Sequence, residues 1–148
     1  MKGKERMKIR IIALLIAIIL ILSLGSCFVT SRDTHVEISC DDFAENQIPS
    51  IIRNDFTMEI GDKLYVELCS NPTTGFEWSY EMSGDTAVKE EDHDFEEPEG
   101  DVVGAPGKET WTFEATEKGE TTINMEYSQP WEGGIKGEWT YTISVIVE

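Results

Sequence analysis

The sequence predicts an all-β sandwich of about seven or eight short antiparallel strands. Short segments alternate apolar and polar residues, they recur at spacings near ten residues, and no long segment repeats its apolar residues with a helical period. Alternation with a period of two is typical of strands that bury one face, and regularly spaced turns between such strands are typical of sandwiches. We therefore expect one domain in which two sheets enclose a single core.

The predicted elements follow from this alternation and from turn-forming residues. Residues between Asp42 and Asn54 include Pro49 and predict a crossover or loop, and Met82–Thr86 predicts a turn. The segment Glu96–Gly107 contains two prolines and three glycines and predicts a long exposed loop. The predicted strands are Val36–Cys40, Phe56–Ile60, Lys63–Cys69, Phe76–Tyr80, Ala87–Phe95, Lys108–Ala115 (with Trp111 and Phe113 on one face), Thr121–Tyr127 and Trp139–Val147.

The N-terminus has the pattern of a secretory signal. A basic segment, Met1–Arg10, precedes Ile11–Leu24, which is aliphatic except for Ser23 and is shorter than the roughly 20 residues that a spanning helix needs. Leu24-Gly25-Ser26-Cys27 resembles the bacterial lipobox. We predict a lipoprotein signal peptide over residues 1–26, lipid on Cys27, a tether over 27–35, and a lipid-anchored, extracytoplasmic protein. An uncleaved anchor helix, or secretion with Cys27 as a spare thiol, stays open.

Charge excludes one class of partner. The 148-residue chain has a formal charge of −17, and without residues 1–26, which hold five of the 12 basic and one of the 29 acidic residues, the charge is −21. Nucleic-acid binding requires a basic surface, so we expect no nucleic-acid partner. The negative charge is consistent with solubility or with electrostatic attraction of a basic partner.

Two cysteines remain in the predicted domain. Cys40 and Cys69 would form a disulfide in an oxidising compartment if the strands bring them close enough. Two buried free thiols are the other interpretation, since reduced cysteine behaves as a small apolar residue.

Motifs for catalysis are missing from the sequence. It contains no Gly-x-Ser-x-Gly, His-Glu-x-x-His or Gly-x-x-x-x-Gly-Lys pattern, and neither of its two histidines, His35 and His93, has an evident nucleophile beside it. The acidic segment Asp92–Asp101 suggests a calcium site, but Glu97 and Val103 stand where an EF-hand requires Gly and Glu. We therefore expect that the protein is not an enzyme and that it has no cofactor and no specific metal site.

Two loop tips carry residues that are unusual for simple turns. In Asn71-Pro72-Thr73-Thr74-Gly75-Phe76, proline fixes one backbone angle and glycine permits a positive φ, so the threonines are held on a stiff, protruding backbone. Trp131 lies in a second tip, Gln129-Pro130-Trp131-Glu132-Gly133-Gly134. Aromatic groups displayed on rigid turns are typical of binding sites. An ordinary hairpin turn, and a tryptophan that folds back over the sandwich edge, are the other interpretations.

These motifs resemble the three signature loops of the chagasin family, which are reversible inhibitors of papain-like cysteine peptidases. The resemblance covers nearly all of residues 36–148, a length close to that of an immunoglobulin-like domain. The matching residues are Asn71, Pro72, Thr73, Thr74, Gly75 and Phe76 in the first loop, Gly104, Ala105, Pro106 and Gly107 (after Val103) in the second, and Gln129, Pro130 and Trp131 in the third.

The resemblance implies an immunoglobulin-like sandwich that fills the cleft of a peptidase with three loops. It implies that Thr73, Thr74 and Gly75 lie over the catalytic cysteine and histidine, that Gly104–Gly107 follows the non-primed side, and that Trp131 stacks on an aromatic residue of the primed side. Gln129 departs from the family, which commonly has Arg at this position. If the peptidase has a carboxylate opposite this position, we expect weaker inhibition or inhibition of fewer peptidases.

We therefore predict a monomeric inhibitor whose partners are a papain-like cysteine peptidase and, through Cys27, a membrane. A binding module that presents the same tips to another protein or a carbohydrate at the cell surface is the first rival. An enzyme or metal protein that uses the acidic loop is the second.

Overall fold

The computed structural model describes residues 32–44, 51–98, 100 and 102–148, which form two four-stranded sheets. The predicted signal peptide, Cys27 and most of the tether lie outside the described residues. In the described part of the chain, no helix is long and apolar enough to cross a membrane. The elements are β1 (Thr34–Ile38), α1 (Cys40–Ala44), β2 (Ile51–Met58), β3 (Lys63–Ser70), a 3-10 turn (Pro72–Thr74), β4 (Glu77–Gly84), β5 (Val88–Glu96), β6 (Gly107–Ala115), β7 (Gly119–Ser128) and β8 (Trp139–Val147).

The first sheet has the strand order β1-β3-β6-β5, and the second has the order β2-β8-β7-β4. The chain therefore crosses from one sheet to the other after β1, β2, β3, β4 and β6. Among the described strands, consecutive strands lie in the same sheet only from β5 to β6 and from β7 to β8. This arrangement confirms the predicted all-β fold.

Apolar side chains at alternate positions of the strands fill the space between the two sheets. In β3, for example, Leu64, Val66 and Leu68 are fully buried while the residues between them are partly exposed. Trp111 and Phe113, which were predicted to share one face of a strand, are both buried in β6. Complete burial of a large apolar side chain such as that of Phe113 stabilises a fold by about 1.5–3 kcal/mol. The centre of the core also includes Trp78, Ile123, Met125, Tyr141, Ile143 and Val145.

Two strand pairings differ from the predicted antiparallel arrangement. Among the described strands, β1 pairs with β3 and β2 pairs with β8 in parallel, and the other pairings are antiparallel. Alternation reports which face of a strand is buried and not the direction of its neighbour, so the sequence pattern could not distinguish the two cases.

Some predicted boundaries were wrong. Cys40 begins α1 instead of ending the first strand, and β2 begins at Ile51, inside the segment predicted as a crossover. β2 ends at Met58, before Ile60. β4 continues to Gly84, through most of the predicted turn, because its backbone pairs with β7 as far as Thr121.

Candidate functional site

Strand register brings three loops to one pole of the sandwich. Ser70 at the end of β3 pairs with Gly107 at the start of β6, and Glu77 at the start of β4 pairs with Ser128 at the end of β7. Loop 1 (Asn71–Phe76), loop 2 (residues 97–106) and loop 3 (residues 129–138) therefore leave the sheets at the same end. We call this set of loops the loop pole.

Loop 1 is held in one shape by Asn71. Its side-chain oxygen accepts hydrogen bonds from the Thr73 backbone N–H at 3.2 Å and from the Thr73 hydroxyl at 2.6 Å. The Thr74 hydroxyl donates to the Asn71 carbonyl oxygen at 2.6 Å. Pro72 occupies the first turn of the 3-10 segment, and Gly75 ends it with φ of 77°. Both threonine hydroxyls thus donate into the loop, while both side chains remain exposed at its tip.

Asn71 also joins loop 1 to loop 2. Its side-chain amide donates a hydrogen bond to the Gly104 carbonyl oxygen at 2.9 Å. Loop 2 turns back at this point, since the Ala105 N–H donates to the Val102 carbonyl oxygen and Gly104 has φ of 81°. Val103, at the tip of that turn, is completely exposed.

Trp131 joins loop 3 to loop 1. A Cβ atom built on Gly75 would lie 2.5 Å from Cη2 of Trp131, so the indole ring lies directly over this glycine. Half of the Trp131 surface remains exposed. The ring therefore packs on the neighbouring loop instead of folding back over a sheet, and it still presents a large apolar face to solvent.

Gln129 closes the base of loop 3. Its backbone N–H donates to the Ile135 carbonyl oxygen at 2.8 Å, and its side-chain oxygen accepts from the Ile135 N–H at 3.1 Å. The Lys136 ammonium group donates to the Gln129 carbonyl oxygen. Within the loop, the Gly134 N–H donates to the Trp131 carbonyl oxygen at 3.1 Å. The Gln129 side chain thus shapes the loop that carries Trp131.

Other residues support the loop pole from below. The Tyr127 hydroxyl oxygen accepts a hydrogen bond from the Asn71 N–H at 2.9 Å, and its ring stacks against the half-buried Phe76. Sequence reasoning missed Tyr127 as a site residue, because alternation along β7 indicates only that it is buried. Gly107 is buried in β6, where a side chain would collide with the Glu96 carbonyl oxygen and the Phe95 ring.

A disulfide joins Cys40 and Cys69, with the Cα atoms 4.8 Å apart. Cys69 is buried and lies two residues before Asn71. Its carbonyl oxygen accepts a hydrogen bond from the Trp78 indole N–H at 2.9 Å. The disulfide therefore fastens the beginning of α1 to the base of loop 1.

Two acidic residues of β5, Glu91 and Glu96, contact lysines. Lys63 contacts Glu91 at 2.6 Å, and Lys108 contacts Glu67 at 2.8 Å and Glu96 at 3.8 Å. The hydrogen bond with Glu91 raises the pKa of Lys63. Among the described residues, no group of three His, Cys, Asp or Glu side chains is placed to hold a metal ion.

A serine, a carboxylate and an imidazole do meet beside β6, but in an order that does not activate the serine. The Ser70 hydroxyl donates to Glu109, and the other oxygen of Glu109 lies 3.2 Å from Nε2 of His93. The carboxylate thus stands between the serine and the imidazole. In a nucleophilic triad the imidazole must itself contact the hydroxyl.

All thirteen residues predicted from the loop motifs lie in or next to the loop pole, but they do not contribute equally. Gly107 is buried and Phe76 is half-buried, so these two support the loops from within. The tips display Thr73, Thr74, Pro130 and half of Trp131. The described residues of the loop pole thus form an exposed surface built from three loops that contact one another.

Comparison with known proteins identifies the family. The family model for "Chagasin family peptidase inhibitor I42" matches residues 57–145, which include all three loops. The chain therefore belongs to the chagasin family of peptidase inhibitors, which consists of inhibitors and not of enzymes.

Individual relatives agree with this assignment. The chain is 32% identical to Amoebiasin-2 of Entamoeba histolytica over 96 residues, which are 61% of this chain and 74% of the relative. It is 28% identical to Chagasin of Trypanosoma cruzi over 91 residues, which are 59% of this chain and 83% of the relative.

Solved structures show the same fold at lower identity. The crystal structure of the cysteine protease inhibitor EhICP2 from Entamoeba histolytica matches with a TM-score of 0.57 and 24% identity, and covers 66% of this chain and 94% of that one. PbICP-C, solved in complex with falcipain-2, matches with a TM-score of 0.54 and 15% identity, and covers 78% and 99% of the two chains.

Proposed function

We propose that this protein is a reversible inhibitor of papain-like cysteine peptidases that fills the active-site cleft with the loop pole. The observation that carries the proposal is the direct contact among the three loops, through Asn71 with Gly104 and through Trp131 with Gly75. Contacts of this kind fix the shape of the loops before binding, so little conformational entropy is lost when the enzyme is engaged. Family membership supports the same function.

In this proposal each loop has one task. Thr73, Thr74 and Gly75 cover the catalytic cysteine and histidine of the enzyme and block access of a substrate. Loop 2 lies along the non-primed side with the exposed Val103 at its tip, and Trp131 stacks on an aromatic side chain of the primed side. No covalent bond forms, and inhibition is reversible because occlusion is the whole mechanism.

Gln129 has a role in this proposal that differs from the arginine common in the family. Its side-chain oxygen bonds to the Ile135 N–H, so it maintains the shape of loop 3. We therefore expect that Gln129 contributes through the position of Trp131 and forms no ion pair with the peptidase.

The proposal is tested by inhibition of a panel of papain-like peptidases with the purified protein. Alanine at Thr74 or at Trp131 should weaken inhibition by about 1–3 kcal/mol each, as truncation of a central contact residue does. Thr122→Ala, a partly exposed position on β7, serves as the control and should leave inhibition unchanged. Indifference of every peptidase to micromolar wild-type protein would contradict the proposed function.

We further propose that the protein is a lipoprotein anchored through Cys27 on the extracytoplasmic side of a membrane, after removal of residues 1–26. The lipobox-like residues Leu24-Gly25-Ser26-Cys27 support the anchor, and the position of Arg32 indicates how an anchored domain would be oriented. The Arg32 N–H donates to the Asp62 side chain at 2.7 Å, and Thr34 pairs with Leu64. The chain thus enters the domain at the pole opposite loop 1. An anchored domain would present its loops away from the membrane, as a monomer.

The rival function, a surface module for another protein or a carbohydrate, is supported by no specific contact in the described residues. It would use the same exposed tips without a peptidase. The inhibition panel separates the two functions, because only the proposed function predicts a loss of peptidase activity.

A further inference from the structure

The Cys40–Cys69 disulfide forms a wall of a cleft that opens beside the tip of loop 1. The cleft has a volume of about 330 Å³, and its lining includes both cysteines, Thr74, Phe76, Pro106 and Trp139. Most of these groups are apolar. Thr74 and Pro106 belong to loops 1 and 2, so the cleft is continuous with the surface already described.

The wall made by Cys40 lies outside the region that the family model matches. That region begins at residue 57, whereas Cys40 begins α1. Strand β1 ends beside the end of β3, since Ile38 pairs with Leu68, and this register delivers Cys40 to the loop pole. The disulfide then fixes it against the base of loop 1. The cleft is therefore a feature of this chain that the three family loops alone do not account for.

We propose that this cleft is a fourth part of the peptidase-binding surface, and that it receives an apolar side chain from the wall of the enzyme's active-site cleft. The proposal rests on the proposed inhibitory function, because it is the insertion of loop 1 that brings the enzyme wall next to Thr74. An apolar, concave site bordered by rigid groups is the surface type that binds an apolar side chain most favourably. Loop 1, Pro106 and the disulfide supply that rigidity.

Glu138 provides a test that leaves the disulfide intact. It lines the cleft, its side chain is exposed, and its backbone N–H donates to the Tyr127 carbonyl oxygen. In Glu138→Trp, the new side chain would occupy the cleft, and inhibition should weaken about five- to thirtyfold, mainly through faster dissociation. The matched control is Glu59→Trp, an exposed position in the turn between β2 and β3 at the opposite pole, which should leave the inhibition constant unchanged.

A second variant removes the wall itself. Cys40→Ser/Cys69→Ser should weaken inhibition in the same range, and dithiothreitol treatment should weaken the wild-type inhibitor but not this variant. In that treatment the dithiol gives two electrons and two protons to the S–S bond, which yields two cysteine thiols, while the reagent closes to a cyclic disulfide. The peptidase is activated with thiol separately and freed of reductant before the assay.

The outcomes separate the two proposals. Wild-type inhibition that Glu138→Trp weakens and Glu59→Trp does not supports the cleft. If the wild-type protein inhibits a peptidase and Glu138→Trp changes the inhibition constant by less than about twofold, the cleft proposal is overturned while the inhibitory function stands. If the wild-type protein inhibits no papain-like peptidase, the proposed function fails and the cleft proposal fails with it.

Discussion

Asn71 connects more of the loop pole than any motif match suggests. Its side-chain oxygen caps the 3-10 turn through Thr73, its side-chain amide reaches Gly104, and its backbone N–H donates to Tyr127. One residue therefore joins loop 1, loop 2 and strand β7. An amide side chain is required for this arrangement because it offers an acceptor and a donor at once.

Asn71→Asp separates these two functions of the side chain. The carboxylate still accepts the hydrogen bonds from Thr73, but it cannot donate to the Gly104 carbonyl oxygen and repels it. We expect inhibition to weaken by about 1–2 kcal/mol, with little change in melting temperature because the lost bond is exposed. Asn124→Asp, the same change on the exposed face of β7, is the control. Equal inhibition by the two variants would contradict the proposed bridge.

Gly75 is the second residue on which the loop pole depends. Its φ of 77° and the closeness of Trp131 both exclude a side chain. Gly75→Ala should displace the indole ring and weaken inhibition more than tenfold, about 1.4 kcal/mol or more. Gly61→Ala is the control, because Gly61 also has a positive φ but no atom within 4 Å of a built Cβ. Inhibition constants of both variants would measure the loss of inhibition, and tryptophan fluorescence would report displacement of the Trp131 ring. If both variants lost inhibition to a similar extent, the loss would be due to backbone strain and not to displacement of Trp131.

At the scale of elements, the two sheets are linked at one side by Tyr80 of β4 and Glu90 of β5. The Tyr80 hydroxyl donates a hydrogen bond to Glu90, and its ring packs edge-on against Phe113. Burial, followed by the hydrogen bond with Glu90, raises the pKa of Tyr80 to about 12. The neutral phenol is thus the form that the folded state favours.

This raised pKa predicts a loss of stability in alkali. An ordinary tyrosine has a pKa near 10, so the contribution of Tyr80 is complete below about pH 10 and is lost as the pH rises through about 12. Absorbance titration should show a phenol that ionises near pH 12 and is absent from Tyr80→Phe, while Tyr141, whose pKa is raised by burial, still ionises late in both proteins. The free energy of unfolding of both proteins can be measured by denaturant titration about every half pH unit between about pH 9 and 12. It should depend less on pH in the variant than in the wild-type protein. A phenol titrating near pH 10 at this position would contradict the prediction.

At the scale of the whole molecule, the described chain enters the domain at the pole opposite the loops that we propose bind a peptidase. Arg32 contacts Asp62 in the turn before β3, and loop 1 follows β3. β3 has eight residues. A strand rises by about 3.3 Å per residue, so the loops stand roughly 25 Å from the point of entry. A membrane anchor on the N-terminal side would therefore leave the loop pole accessible.

Inhibition by vesicle-bound protein tests this geometry. We expect the lipidated protein in phospholipid vesicles to inhibit a soluble papain-like peptidase about as strongly as the same protein released with detergent, within roughly threefold, or about 0.7 kcal/mol. Mass spectrometry of the same sample should show loss of residues 1–26 and a lipid on Cys27. Inhibition that appears only after release would contradict the orientation, and an unlipidated chain would contradict the anchor.

Several features of the site could be predicted from residues alone. Pro72 and Gly75 each restrict or permit particular backbone angles, so the stiffness of loop 1 follows from their chemistry. Trp131, placed between Pro130 and a glycine pair, indicates an exposed turn for the same reason. The buried face of strands such as β3 and β8 also follows from alternation, because side chains of successive residues point to opposite faces.

The sequence by itself thus determined an all-β sandwich, the strands that build its core and the two loop tips at Asn71–Phe76 and Gln129–Gly134, because these depend on local backbone chemistry and on which residues avoid water. The role of Gly104–Gly107 in the candidate site followed only from the family resemblance. Only the tertiary structure decided the parallel pairing of β1 with β3 and of β2 with β8. It also decided the disulfide between Cys40 and Cys69, the hydrogen bond from Asn71 to Gly104 and the packing of Trp131 on Gly75. Each of these joins residues far apart along the chain. Their meeting depends on strand order and register, which no local pattern contains.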